Sequence, residues 1–224
     1  MNVFIAGTDT EIGKTGATCG LLKALSNRGH RVAGMKPVAA GTTGDGLNPD
    51  AIALLRSSCP GLLYEWVNPC VFQAPTAPNI AADLEGRKIV WEAIEAAYRI
   101  LSANADLVVL EGIGGWRVPL APGLFASDIP KRLGLPVVLV SGIRLGAVNH
   151  TLLTAEAIER DGCRLLGWLA NVIDPAYPYT MATIETLKRH ITAPCLGEIP
   201  WLAKFDPGMI TAHLTALTDA IDVC

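Results

Sequence analysis

Charge is scarce in this chain, and neither sign is in large excess. Charged residues fill 17% of its 224 positions and the formal net charge is −3. Without a basic surplus, no general electrostatic pull toward nucleic acid or an anionic membrane is expected. An anionic ligand must then be held by a few placed cations and helix ends. Long apolar runs are missing as well, and none approaches the roughly 18 residues a spanning helix needs. The first residues carry no basic region ahead of an apolar core, and Asp9 and Glu11 arrive early, which argues against a conventional signal peptide. The six cysteines (Cys19, Cys59, Cys70, Cys163, Cys195 and Cys224) form no Cys-x-x-Cys. They read as reduced thiols, Cys19 packed in the first helix, in a cytoplasmic protein. Repeats, linkers and low-complexity stretches are absent too.

What is present is apolar and regular. Half of the residues are hydrophobic, enough for a large core in one unit spanning residues 1–224. Apolar, β-branched runs alternate with segments of helical period, the mark of a parallel sheet covered on both faces. Strands are predicted over residues 3–6, 32–36, 107–111, 137–140, 166–171 and 195–199. Helices are predicted over 16–27, 50–57, 91–102, 126–132, 147–160, 179–190 and 207–221. The expected fold class is α/β: a single-domain, doubly wound, mainly parallel sheet flanked by helices. Ligands of such sheets gather beyond the carboxyl ends of the strands, so the residues at each end matter most.

The first strand runs into Gly7-Thr8-Asp9-Thr10-Glu11-Ile12-Gly13-Lys14-Thr15. A strand, a glycine-bearing loop and a helix opening on Lys-Thr is the setting of a phosphate-binding loop, and it makes the fold a phosphate-loop NTPase type. Loop and first-turn N–H groups converge at the positive end of the helix. Lys14 would reach the β- and γ-phosphates, and the Thr15 hydroxyl would ligate Mg²⁺. The spacing departs from the common pattern, because Gly7 stands one residue too early.

The second strand ends at Lys36, since Pro37 cannot continue a central strand. A cation at that tip faces the phosphates, or else snorkels off the rim. Asp50 opens the helix after Asn48-Pro49, and is either a carboxylate of local value at a helix start or one turned toward the metal. The third strand ends in Glu111-Gly112-Ile113-Gly114-Gly115-Trp116, which places a carboxylate where phosphate-loop enzymes complete a Mg²⁺ site. Its glycines leave the backbone bare for close approach, and Trp116 reads as packing. Another glycine-punctuated helix start, at Gly146, is a possible anion site, whereas His150 reads as non-catalytic. Asn171 ends a strand as an amide able to match the edge of adenine, or as a turn former.

Taken together, 7–15, Lys-Pro-Val-Ala-Ala-Gly (36–41), Glu-Gly-Ile-Gly-Gly-Trp (111–116) and Gly-Glu-Ile-Pro-Trp-Leu (197–202) resemble dethiobiotin synthetases. Asn-Pro-Cys-Val-Phe (68–72), Pro-Thr-Ala-Pro (75–78) and Leu-Gly-Ala-Val-Asn-His (145–150) extend the likeness over most of the chain. The resemblance implies ATP- and Mg²⁺-dependent ring closure of 7,8-diaminononanoate with CO₂ to dethiobiotin, ADP and phosphate. The route would pass through a carbamate and its mixed anhydride with phosphate. It implies Lys14 and Lys36 as catalytic cations, and Thr15, Asp50 and Glu111 as metal ligands. ATP would be held by Glu11, Ile12, Gly13, Lys14, Thr15, Gly16, Asp50, Glu111, Gly112, Ile113 and Gly114. The base would meet Asn171, Val172, Pro200, Trp201 and Leu202. Substrate would meet Lys36 and Ala40 and, across a homodimer, Gly146, Ala147, Val148 and Asn149 of the other copy. Two departures stand out: Ala40 replaces a common serine and Val172 a frequent aspartate. The alternatives are a cobyrinic-acid-type amide ligase, which usually needs a longer chain, or a MinD/ParA-like switch. The latter carries an additional early lysine in its loop, which this loop lacks. A catalytically dead ATP-binding module is a further alternative.

Overall fold

In the computed structural model, which describes residues 1–204 and 206–222, ten strands and ten helices are assigned. The strands are β1 (Val3–Gly7), β2 (Val32–Met35), β3 (Val38–Ala40), β4 (Cys70–Phe72), β5 (Leu107–Glu111), β6 (Pro119–Ala121), β7 (Leu124–Phe125), β8 (Val137–Ile143), β9 (Leu165–Val172) and β10 (Cys195–Ile199). The helices are α1 (Lys14–Asn27), α2 (Pro49–Arg56), α3 (Tyr64–Val67), α4 (Pro78–Leu84), α5 (Trp91–Asn104), α6 (Asp128–Leu133), α7 (Ala147–Arg160), α8 (Thr180–His190), α9 (Pro207–Thr211) and α10 (Thr215–Asp222).

Six strands form one parallel sheet in the order β10-β9-β8-β1-β5-β2. Alternation along each strand divides its side chains between two cores. Phe4, Val108, Leu110, Val137 and Leu139 face one, with Ile94 and Leu101 of α5 and Ile158 of α7. Val3, Ile5, Val109, Val138 and Val140 face the other, with Leu21, Leu22 and Leu25 of α1 and Leu54 of α2. The middle of the sheet is buried on both faces and so has to be apolar, which is why β1, β2 and residues 107–110 and 137–140 carry no charged side chain. β1 lies between β5 and β8, with β2 beyond β5 and β9 and β10 beyond β8. The crevice at this reversal is where a doubly wound sheet takes its ligand.

Several boundaries differ from expectation. The second strand stops at Met35, because the Lys36 N–H donates to the Val67 carbonyl, at 2.7 Å. Residues 207–221 are two helices, α9 and α10, and not one. At the break the His213 carbonyl lies against Gly197 of β10, where a Cβ would come within 2.3 Å of it. Ile210 and Leu214 on either side pack over Gly20 of α1. The parallel pair β3–β4 and the antiparallel hairpin β6–β7 are additions to the expected strands. Cys19, Cys59, Cys70, Cys163 and Cys195 are free thiols, Cys19 fully buried; Cys224 lies outside the described residues. Among the described residues no helix is long and apolar enough to cross a membrane.

Candidate active site

The loop after β1 is shaped by its own lysine. Lys14 folds back so that its Nζ donates to the Asp9 carbonyl at 2.5 Å. Its stem crosses Gly7 so closely that a Cβ there would sit 2.6 Å from Cδ. This explains the early glycine: it makes room for the lysine. Gly13 caps α1 in the left-handed region (φ 83), and a Cβ on it would strike the Asn171 amide at 2.1 Å. Glu11 is the one non-glycine residue with positive φ (56) among the described residues, a conformation of the kind that concentrates at ligand clamps. Asp9, missed by the sequence reading as an anchor, accepts the Thr10 N–H and pairs with Arg144 beyond β8, each at 2.8 Å.

Strand register brings the cations and carboxylates together. Met35 of β2 is paired with Leu110 of β5, so Lys36 and Glu111 leave the sheet side by side. Lys36 Nζ donates to Glu111 Oε1 at 2.5 Å, to Asp50 Oδ2 at 3.2 Å and to the Gly112 carbonyl at 3.2 Å. Thr15 Oγ1 donates to the same Glu111 Oε1 at 2.8 Å. Asp50 is not the cap of α2; Asn48 is, its side chain accepting the Ala51 N–H, and this leaves the Asp50 carboxylate free to turn toward Lys36. Burial works against the Lys36 ammonium, but Glu111 and Asp50 outweigh it and hold its pKa above the ordinary lysine value. Lys14 goes the other way: burial first, then the Lys36 charge, lower it from 10.5 to about 8.

The second Glu111 oxygen, Oε2, is buried without a hydrogen-bond partner. An orphaned carboxylate oxygen beside a hydroxyl and a half-exposed carboxylate is a donor set that suits a hard divalent cation, which takes few protein ligands and completes its shell with phosphates and water. Among the described residues no cluster of three or more His, Cys, Asp or Glu could hold a metal.

These groups line an open cleft of about 1200 Å³. Ligand pockets commonly measure about 300–1,000 Å³, so the cleft has space for a nucleotide and a second substrate. Of the expected residues, Glu11, Gly13, Lys14, Thr15, Gly16, Lys36, Ala40, Asp50, Glu111, Ile113, Gly114, Asn171, Val172, Pro200, Trp201 and Leu202 line it. The side chain of Ile12 turns into the core instead. Gly112 has both backbone groups engaged, its N–H with the Ile5 carbonyl and its own carbonyl with Lys36. Asn171 is buried and donates to the Ile12 carbonyl at 2.7 Å. Gly146, Ala147, Val148 and Asn149 lie apart from the cleft, at the start of α7 beside the exposed Leu145. His150 is exposed on the same helix, and Trp116 is buried edge-on to Phe4, its Nε1 donating to Asp161 at 2.8 Å.

The fold is similar to that of the MinC:MinD cell division protein complex of Aquifex aeolicus, with a TM-score of 0.60, 15% identity and coverage of 100% of this chain and 97% of that one. It is also similar to a ParA family ATPase from Chlorobium tepidum TLS, with a TM-score of 0.56, 11% identity and coverage of 98% and 93%. At such identities the likeness concerns architecture alone. In sequence, the profile of a family described as AAA domain matches residues 1–208. The chain is 48% identical over 216 residues to the ATP-dependent dethiobiotin synthetase BioD of Aromatoleum aromaticum, covering 94% of this chain and 95% of that protein. To the enzyme of the same name from Pseudescherichia vulneris it is 45% identical over 223 residues, covering 97% and 93%. A phosphate loop, two clustered lysines and two facing carboxylates thus sit in a chain that matches these synthetases nearly end to end, and the chain belongs to the ATP-dependent dethiobiotin synthetase family.

Proposed function

We propose that this protein closes the ureido ring of dethiobiotin from 7,8-diaminononanoate, CO₂ and ATP, as one ATP-binding α/β unit. The observation that carries the reading is Lys36, buried at a strand tip between Glu111 and Asp50 and close enough to Lys14 to depress its pKa. Carbamate and γ-phosphate are both anions, and bringing them into contact requires concentrated positive charge fixed in place. Lys14 holds the β- and γ-oxygens, and Lys36 bridges the carbamate and the transferring phosphoryl group. One amine adds to CO₂ and gives up a proton to form the carbamate, a carbamate oxygen attacks the γ-phosphorus, and ADP departs. The second amine then attacks the carbamoyl carbon, phosphate leaves, and the ring is closed.

Thr15, Asp50 and Glu111 are the groups that would hold Mg²⁺, which supplies charge neutralisation on the phosphates. Asn171, Val172, Pro200, Trp201 and Leu202 form the wall for the base. The start of α7 at residues 146–149, which lies outside the cleft with Gly146 and Asn149 exposed, receives the substrate carboxylate of a second copy in a homodimer. Light scattering of the active protein should therefore report a dimer.

Phosphate release, assayed with ATP, Mg²⁺, bicarbonate and the diamine and with each omitted in turn, tests the reaction. Release should require the diamine and be matched by dethiobiotin. Equal release without the diamine would show an uncoupled ATPase, which would favour the nucleotide-switch reading.

A further inference from the structure

Three polar side chains stand behind Lys36 without a part in the chemistry described so far. The Asn48 N–H donates to the Tyr64 hydroxyl oxygen at 2.8 Å. A backbone N–H can only donate, so that oxygen must accept, and its own hydrogen goes to Asn68 Oδ1 at 2.9 Å. The Asn68 amide is thereby oriented. Its Nδ2 donates to the Lys36 carbonyl at 2.7 Å and reaches the Cys70 carbonyl at 3.4 Å. Asn48 closes the other end: its Oδ1 accepts the Ala51 N–H at 3.1 Å, and its Nδ2 donates to the Gly41 carbonyl at 2.7 Å. Asn48 and Asn68 are both buried.

With a backbone N–H at one end and backbone carbonyls at the other, the direction of every bond is fixed. The relay joins three backbone pieces that meet at the cleft: the residue carrying Lys36, the start of the helix carrying Asp50, and the turn behind Ala40. Neither Tyr64 nor Asn68 lines the cleft. We propose that Tyr64 and Asn68 are positioning residues which, through Asn48, set the separation of Lys36 from Asp50. Tyr64 is half-buried between these two buried amides, and a network in which every member is satisfied holds geometry in a way that packing alone does not. Loss of the Tyr64 hydrogen leaves Asn68 Oδ1 without its donor, so the amide that holds the Lys36 carbonyl is no longer oriented and the ammonium at the far end of the same residue is loosened.

The kinetic part of this inference rests on the proposed reaction; the spectroscopic part does not. In Tyr64→Phe the ring stays and the hydroxyl is lost, and with it both the hydrogen given to Asn68 and the acceptor of the Asn48 N–H. In Asn68→Asp the acceptor for Tyr64 stays, while the donor to Lys36 becomes a repelling oxygen. Misplacement of a reacting group by about 1 Å costs up to about 100-fold in rate. We therefore expect kcat to fall about tenfold in Tyr64→Phe and about 100-fold in Asn68→Asp, with ATP affinity within about twofold of the unaltered protein. The Lys36 side-chain ammonium signal, assigned by NMR with a Lys36→Arg control, should shift or broaden in both. A kcat within about twofold in both folded variants, or an unmoved Lys36 signal, overturns the assignment. If Asn68→Asp does not fold, Tyr64→Phe decides alone. If the unaltered protein makes no dethiobiotin, the proposed reaction fails, and the Lys36 signal still decides whether the relay positions that residue.

Discussion

Lys14→Met should make the nucleotide-free protein more stable while destroying its ability to bind nucleotide. Burial, and after it the Lys36 charge, lower the Lys14 pKa from 10.5 to about 8. The folded state thus holds this proton less tightly than the unfolded chain does. Below pH 8 both states are charged, and at about 1.4 kcal/mol per pH unit the ammonium disfavours folding by about 3 kcal/mol. Methionine keeps an apolar stem across Gly7 but forfeits the bond to the Asp9 carbonyl, a loss of about 1 kcal/mol. The net gain near pH 7 is about 2 kcal/mol, or about 4–8 °C in Tm for a chain of this size. As pH rises from 8 through 10.5 the unaltered protein sheds the proton and the gain disappears. Calorimetry of both proteins at pH 7 and pH 10, alongside titration with a fluorescent ATP analogue, measures both effects. Nucleotide affinity should drop by about 100-fold or more, since the triphosphate loses its partner in a water-poor loop. A lower Tm at pH 7, or a gain that persists unchanged at pH 10, would show that the buried charge is not what limits stability here.

Lys36→Ala should lower single-turnover rate by about a thousandfold while leaving ATP affinity within about threefold, because it removes charge needed only in the transition state. The same change strands Glu111 in the interior, so stability should fall by about 3 kcal/mol and rates must be read well below the transition. Unchanged turnover would remove Lys36 from the reaction. Gly13→Ala places a Cβ against the Asn171 amide in a left-handed backbone. A loss of about 2–4 kcal/mol in denaturant unfolding, with weakened nucleotide binding, is expected; a loss under about 0.5 kcal/mol would mean the loop relaxes freely.

The chemistry-bearing strand ends were legible because each is marked by a local conflict. Pro37 follows the lysine at the tip of β2, Glu111 ends an apolar run, and Lys-Thr follows a glycine at a helix start. Such signals need only neighbours in sequence. The relay of Asn48, Tyr64 and Asn68 lies in a stretch without helical or strand period, and its partners are chosen by the fold. β3 and β4 are three residues each, too short to show alternation. The break between α9 and α10 falls at Ala212-His213-Leu214, where neither glycine nor proline warns of it. It exists because Gly197 admits a carbonyl from another element. Asp9 and Arg144 likewise meet only through the adjacency of β1 and β8.

The side-by-side exit of Lys36 and Glu111 has a consequence for how the enzyme is made. Neither residue is placed by a loop that could settle late; both are placed by the alignment of two neighbouring strands. A slip of one residue would turn every side chain of one strand to the opposite face. Lys36 would then point into a hydrophobic layer and Glu111 would lose its counter-ion. Misaligned chains are in this way inert, and the same ion pair that readies the protein for work discriminates against them during assembly.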